Sequence, residues 1–460
     1  MSRKFSFSLD EEFVDIVKRY EEFLKGNASG YFDVEELESI VEYYLRRGRT
    51  KDCSKALELG LQLHPNSDGL KAKRAKIYLA TGDTQKAFRM LDKLAQGTDY
   101  DVMLLKLEAL VRMDRFAEAK VLRKQIIASE SDDLDSIYLD IAFVYLALGL
   151  FDESITLLEK GDEYYNKNVE LLFELAFCYE QKDLYDQAIA VYNRIIDIDA
   201  YIEGAWFNLG QLYFALQDFN KALEAYDFAL TIDENDSLTC LQKAHVLFQL
   251  DKFEDAIETY LEYGEMTSNK WETSLFIAEC YEKMEKYDEA IVYYQKSLET
   301  RPENIDAFTG IAICLLEMEK YTESREFIDK AMALDDKLPD VWVYLAETFV
   351  GMDDLVKALE AYLKSISLES DQPDTLMAIA NIYMEQAEFQ EALKYYLVAI
   401  ELDATLEYIN LFIAVAFYKL GELEKCVIYL QIAITENEET ATLFLELCPD
   451  AADVLGLGKE

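Results

Sequence analysis

Residues 203–236 read EGAWFNLGQLYFALQDFNKALEAYDFALTIDEND, and this stretch decides the fold. Trp206, Leu209, Gly210 and Tyr213 fall at i, i+3, i+4 and i+7, the stripe of one amphipathic helix, and Ala222, Tyr226, Ala229 and Leu230 form the stripe of a second. The stretch therefore reads as a helical hairpin. Working outward, an aromatic residue followed three residues later by Ala recurs at Tyr185/Ala188, Phe219/Ala222, Phe253/Ala256 and Tyr287/Ala290, each Ala 34 residues after the last. Unit starts can be set at residues 34, 68, 100, 135, 169, 203, 237, 271, 305, 339, 373 and 407. A sustained helical period of this length marks a stacked array, because one hairpin cannot bury its stripes alone.

Composition agrees with helix. Hydrophobic residues make up 51% and aromatics 13%, too many for a disordered chain, while five Pro and seventeen Gly in 460 residues leave little for turn-rich β architectures. Small residues at the eighth position (Ala142, Ala176, Gly210, Ala244, Ala278, Ala312, Ala346, Ala380, Ala414) let paired helices approach. Pro339 and Pro373 open first helices, where a missing N–H is harmless. At the front, Ser8 to Glu11 resembles a capping box, and Phe13, Ile16, Val17, Tyr20 and Leu24 form a stripe ending at Gly26. At the back, a short helix is expected over residues 441–447, closed by Pro449, with a frayed tail from Ala451.

The unit at 203 resembles a tetratricopeptide repeat: Trp206, Leu209, Gly210, Tyr213, Ala222, Tyr226 and Ala229 match that family's signature, and the unit at Trp271 adds Tyr281, Ala290, Tyr294 and Pro302. The resemblance covers roughly residues 34–440. It implies an all-α, right-handed superhelical solenoid of about twelve stacked helix-turn-helix repeats with capping helices at both ends. The expected organisation is a cap over 1–33, three less regular repeats over 34–134, nine regular repeats over 135–440 and a closing helix and tail over 441–460. Lys71 at the fourth position, and Arg74, Lys106 and Lys243 at the usually buried seventh, depart from the pattern and predict local distortion. The spacing also slips to 32 and then 35 near residue 100, where a bend is expected.

Charge and chemistry narrow the function. Acidic residues number 90 against 45 basic, net -45, a field that repels phosphate backbones and anionic lipids and opposes nucleic-acid and membrane partners. A pentatricopeptide-like RNA binder, close in period, would present a basic groove instead. Residues 1–134 are near neutral at -1, and residues 135–460 carry -44. The longest apolar run, residues 141–151, is too short for the roughly 20 residues that span a bilayer. Seven scattered cysteines form no C-x-x-C, and the amino terminus lacks an apolar leader, so a reducing, cytoplasmic setting is expected. His64 and His245 are the only histidines, and neither completes a zinc or hydrolase motif. No enzyme activity, cofactor or metal is expected.

Binding remains. In the resembled family, positions two, five, nine, twelve and thirteen of each first helix face a concave groove. Carried over, these give Phe143, Phe173, Phe177, Phe207, Gln211, Phe214, Leu241, His245 and Phe248, a strip rich in Phe and Leu, followed by the more acidic Glu279, Asp306, Glu347 and Asn381. The implied function is a scaffold for a protein or peptide segment with aromatic or aliphatic anchors and basic residues. The alternative for the aromatic strip is packing within and between hairpins, and for the acids a solvated face. The basic clamp with which some family members hold acidic tails is nearly absent. Lys73 and Lys76, with Arg46 nearby, come closest, and neutralisation by Glu38 and Glu42 is the simpler expectation. A regulatory subunit of a separate enzyme, and a homo-oligomer joined through basic amino-terminal and acidic carboxy-terminal surfaces, are the other readings.

Overall fold

The computed structural model describes residues 10–25, 31–94, 99–129 and 133–452. Helix α1 (Asp10–Leu24) precedes twelve helical pairs: α2 (Val34–Arg46) with α3 (Thr50–Leu63), α4 (Asp68–Ala80) with α5 (Thr84–Leu94), α6 (Tyr100–Arg112) with α7 (Phe116–Ser129), and α8 (Leu134–Leu146) with α9 (Phe151–Tyr164). Next come α10 (Val169–Gln181) with α11 (Tyr185–Ile198), α12 (Glu203–Ala215) with α13 (Phe219–Ile232), α14 (Ser237–Gln249) with α15 (Phe253–Met266), and α16 (Lys270–Lys283) with α17 (Tyr287–Thr300). The last are α18 (Ile305–Glu317) with α19 (Tyr321–Leu334), α20 (Pro339–Gly351) with α21 (Leu355–Leu368), α22 (Pro373–Glu385) with α23 (Phe389–Leu402), and α24 (Ile409–Lys419) with α25 (Leu423–Glu436), closed by α26 (Thr440–Leu447). The chain forms two compact units, residues 1–216 and 217–460. The first holds α1–α12 and the second α13–α26.

Eleven first helices begin within one residue of the expected starts, and α24 begins two residues late. There Tyr408 takes a left-handed conformation (φ 58°), which cannot run on into a right-handed helix. All the small eighth-position residues are buried, as are Ala188, Ala256, Ala290, Ser324, Ala358, Ala392 and Cys426 at the twentieth. Where the twentieth residue is serine it reaches back across its hairpin to the eighth carbonyl: Ser324 Oγ donates to Ala312 O at 2.8 Å and Ser154 Oγ to Ala142 O at 3.4 Å. Gly310 shows how tight the stacking is, because a Cβ there would lie 2.2 Å from the Tyr294 ring.

Each hairpin turns at its fifteenth residue, which is left-handed in all twelve. Gly48, Gly82, Gly149 and Gly421 fill it in four, and Asp114, Asp183, Gln217, Asp251, Glu285, Glu319, Asp353 and Ala387 in the rest, at φ 56–61°. In the turn at Asp183, its N–H donates to Glu180 O (3.0 Å) and the Leu184 N–H to Tyr179 O (2.9 Å), satisfying carbonyls at the end of α10.

The distortion expected from the charged seventh positions is absent: α4, α6 and α14 are regular thirteen-residue helices. Acids on the preceding second helix hold two of those charges at the surface, Lys106 to Asp92 at 2.6 Å and Lys243 to Asp227 at 2.7 Å. Arg74 Nε donates to Tyr78 Oη (3.2 Å), and Lys71 pairs with Asp68 (3.2 Å). The spacing slips fall at residues 95–98 and 130–132, so the bend expected there lies outside the described residues. So do Ser8 of the expected capping box, Gly26, and the tail from residue 453. At the two ends, Val17 and Tyr20 of α1 bury against Leu37, Ile40 and Tyr44, while Phe444, Cys448 and Ala451 close the core around α24 and α25.

Candidate partner-binding faces

In the first unit the expected face is carried by α8, α10 and α12. Phe143, Phe173 and Phe214 are partly buried, Phe177 is 42% exposed, and Gln211 is exposed. Phe177 stands edge-on to Phe151 (6.3 Å), and Phe173 edge-on to Tyr192 (5.9 Å). Phe207 corrects the expectation. It is 4% exposed and belongs to the core, like Leu139 and Leu275 at the same fifth position. That position lies three residues before the buried eighth and shares its side of the helix.

In the second unit Leu241, His245 and Phe248 on α14 are partly buried, as are Glu279 on α16, Glu347 on α20 and Asn381 on α22, and Asp306 at the start of α18 is exposed. A recurring device holds His245 and Asn381. The twenty-fourth residue of the hairpin, on the second helix, is a buried tyrosine whose hydroxyl reaches the face. Tyr260 Oη lies 2.8 Å from His245 Nδ1, Tyr294 donates to Glu282 (2.7 Å) and Tyr396 to Asn381 Oδ1 (2.5 Å). In the first unit Tyr192 likewise donates to Glu180 at 2.5 Å. From residue 135 onward the pattern is legible in the sequence. Where the twenty-fourth residue is Leu158 or Ile328, positions nine and twelve are apolar (Phe143 and Leu146; Ile313 and Leu316), and where it is tyrosine at least one is polar. Sequence reasoning took these tyrosines as packing residues only; the signal was the covariation between positions within the chain.

Electrostatics differ along the second unit. Burial lowers the His245 pKa, with the Glu272 charge opposing, so the imidazole is neutral at pH 7. Burial pushes the Glu279 carboxyl up to about 7, reinforced by Glu282 and Asp306 and opposed by Lys283. Glu282 and Glu347 are also raised, chiefly by burial. Among the described residues none of Glu279, Glu282, Asp306, Glu317 and Glu347 forms an ion pair. They line a face that also carries Ile313, Leu316, Val343, Val350 and Met377.

Of the basic residues near the amino terminus, Lys73 and Arg46 pair with Glu42 as expected, whereas Glu38 accepts from Ser67 instead. Lys73 Nζ lies 3.1 Å from Glu42, which also meets Arg46 at 3.3 Å. Burial would raise the Glu42 carboxyl, but those cations and Lys76 hold it below its ordinary value. Ordinary structural partners also occupy the histidines and cysteines. His64 Nε2 lies 2.9 Å from Phe32 O, and all seven cysteines are buried, unpaired thiols with pKa values raised chiefly by burial. Among the described residues there is no His/Cys/Asp/Glu group able to hold a metal ion and no helix long and apolar enough to cross a membrane.

Family models described as tetratricopeptide repeat match residues 204–236, residues 145–201 and 281–346, and residues 375–407. Among solved structures, MamA is 19% identical with a TM-score of 0.34, covering 38% of this chain and 96% of its own. YrrB, described as a TPR protein with an unusual peptide-binding site, is 18% identical with a TM-score of 0.32, covering 41% and 96%. The APC/C hetero-tetramer Cut9-Hcn1 covers 89% of this chain and 94% of its own at 12% identity and a TM-score of 0.40. No curated protein matches the chain.

Proposed function

The chain belongs to the tetratricopeptide-repeat family, and from that premise we propose that it is a non-enzymatic, cytoplasmic scaffold whose first-helix faces hold a segment of another protein bearing apolar anchors and Lys or Arg. The observation that carries this reading is the set of partly buried carboxylates without ion pairs among the described residues, Glu279 and Glu282 on α16 and Glu347 on α20, set among aliphatic side chains, with the exposed Asp306 and Glu317 on α18 between them in sequence. A desolvated carboxylate with no cation in direct contact is costly, and a ligand cation that supplies the missing partner recovers that cost on binding. In the first unit Phe177, with Phe173 and Phe214 beside it, supplies apolar anchor sites.

A bound Lys or Arg near Glu279 lowers that carboxyl's pKa and releases its proton, so affinity should rise as pH increases through about 7. Affinity capture at pH 6 and pH 8, at low and moderate salt, with Glu279→Gln/Glu347→Gln and Phe177→Ala variants alongside, tests this. A set of proteins retained more strongly at pH 8 and lost with the Gln variant is the expected result. Clients bound equally by wild type and both variants would remove these faces from the reading.

A further inference from the structure

The first unit carries a surface that the groove reading does not use. A cleft of about 570 Å³ opens between α5, α6 and α7, with Phe88, Leu110 and Val121 in its lining. Two cations form its rim against the Phe88 ring, Arg115 at 4.5 Å and Lys106 at 5.7 Å from the centroid, and both are neutralised locally by Glu118 and Asp92. Around it Arg89, Lys93, Lys120 and Lys124 are exposed and form no ion pair among the described residues. Residues 84–129 contain nine basic and six acidic side chains in a protein whose net charge is -45. Val121 is 58% exposed beside these cations.

A surface of opposite character lies on the last hairpin. Helix α25 buries Cys426, Leu430 and Ala433 and leaves an apolar outer strip: Leu423 (37% exposed), Val427 (36%), Ile428 (56%) and Ile432 (41%). Val398, 34 residues before Ile432 and so at the equivalent place on α23, is 43% exposed and extends the strip. Glu424 on the same helix and Glu438 and Glu439 just after it are exposed and without ion pairs among the described residues, and residues 419–450 hold seven acidic and two basic side chains. Single exposed aliphatic residues are ordinary, but Ile428 and Ile432 stand one turn apart on the outer side of α25, with Leu423 and Val427 one turn apart nearer its buried edge, and with acidic neighbours they offer an interface to a basic, apolar counterpart.

We propose that the α5–α7 cleft of one copy receives the outer face of α25 from a second copy. Ile428 and Ile432 enter against Val121 and Phe88, and Glu424, Glu438 and Glu439 meet Lys120, Lys124 and Lys93. The contact joins two different surfaces, so it is heterologous, and the pair keeps one cleft and one strip free to continue the assembly. Exposed charge pairs of this kind are screened beyond about 8 Å at 0.15 M salt, so association weakens as salt rises.

Sedimentation velocity of the full chain across protein concentration and salt, with two exposed-site variants, tests the contact. Lys120→Glu/Lys124→Glu disables the cleft, and Ile428→Asp/Ile432→Asp disables the strip. Each alone should weaken self-association at least about tenfold, with the helical circular dichroism unchanged. Mixed together, the two variants retain one intact cleft and one intact strip, and should form a heterodimer that grows no further. A wild-type chain that stays monomeric at all concentrations, association that either variant leaves intact, or a mixture that stays monomeric would each overturn the proposal.

Discussion

Glu279 is where residue-scale physics reaches function. Its carboxyl is held near 7 in the folded chain against an ordinary value of 4.5, so the folded state binds the extra proton between those values. The stabilising contribution is complete below about 4.5 and is lost as pH rises through 7. Replacing Glu279 with Gln removes the titration. The variant should gain about 2 kcal/mol over wild type at pH 8 and little at pH 4.5, read as unfolding midpoints in denaturant, since a shift of this size corresponds to roughly 3 kcal/mol before partial solvent screening. Tyr294 makes the complementary case. Tyr294→Phe strips Glu282 of its hydroxyl donor and should cost about 1–2 kcal/mol near neutral pH. A Phe variant as stable as wild type would mean that water replaces the hydroxyl. Of the expected face, Phe177, Gln211, His245, Glu279 and Asn381 do present surface, whereas Phe207 does not. Helical periodicity places a residue on a side of its helix, but whether a neighbour covers that side depends on the angle at which the next helix packs, which one sequence does not carry.

At the scale of elements, the hairpin turn stores strain that the sequence pattern hid. Left-handed backbone costs a residue with a Cβ about 1–2 kcal/mol relative to glycine, and Ala387, with no polar side chain to form local hydrogen bonds, has the least compensation of the eight non-glycine residues there. Ala387→Gly should therefore stabilise the chain by about 0.5–1 kcal/mol, the relief exceeding the extra freedom that glycine gives the unfolded state. Gly82→Ala is the converse. Nothing lies within 4 Å of its added Cβ, so the loss of about 1 kcal/mol expected in thermal or denaturant unfolding is purely conformational. If Ala387→Gly destabilised, the left-handed assignment at that turn would be wrong. Helices were legible because stripe and period repeat twelve times, and averaging over repeats overrides one charged seventh position. The turns were not, because Asp, Glu, Gln, Ala and Gly share one φ and no common side-chain signature.

Over the whole molecule, charge is divided more unevenly than architecture. Residues 1–216 carry net -12 and residues 217–460 net -33, although both units are built from the same hairpins. Many ion pairs on the surface join neighbours three or four residues apart, such as Lys357 with Asp354 and Lys425 with Glu422, and pairs of that kind contribute little. They leave most of the second unit's carboxylates facing one another through solvent. Self-repulsion of that order opposes compaction, and its range contracts from about 30 Å at 0.01 M salt to about 8 Å at 0.15 M. Raising salt should then stabilise the chain as a whole and the second unit more than the first. Hydrogen exchange compared at those two ionic strengths resolves the units separately: protection should increase more for helices of residues 217–460 than for those of residues 1–216. Hairpins in a stacked array draw stability from their nearest neighbours, so the gain should extend through the interior pairs α16–α23 rather than stay at the terminal ones. An equal or larger gain in the first unit would show that local pairing, not accumulated charge, limits the stability of the acidic half.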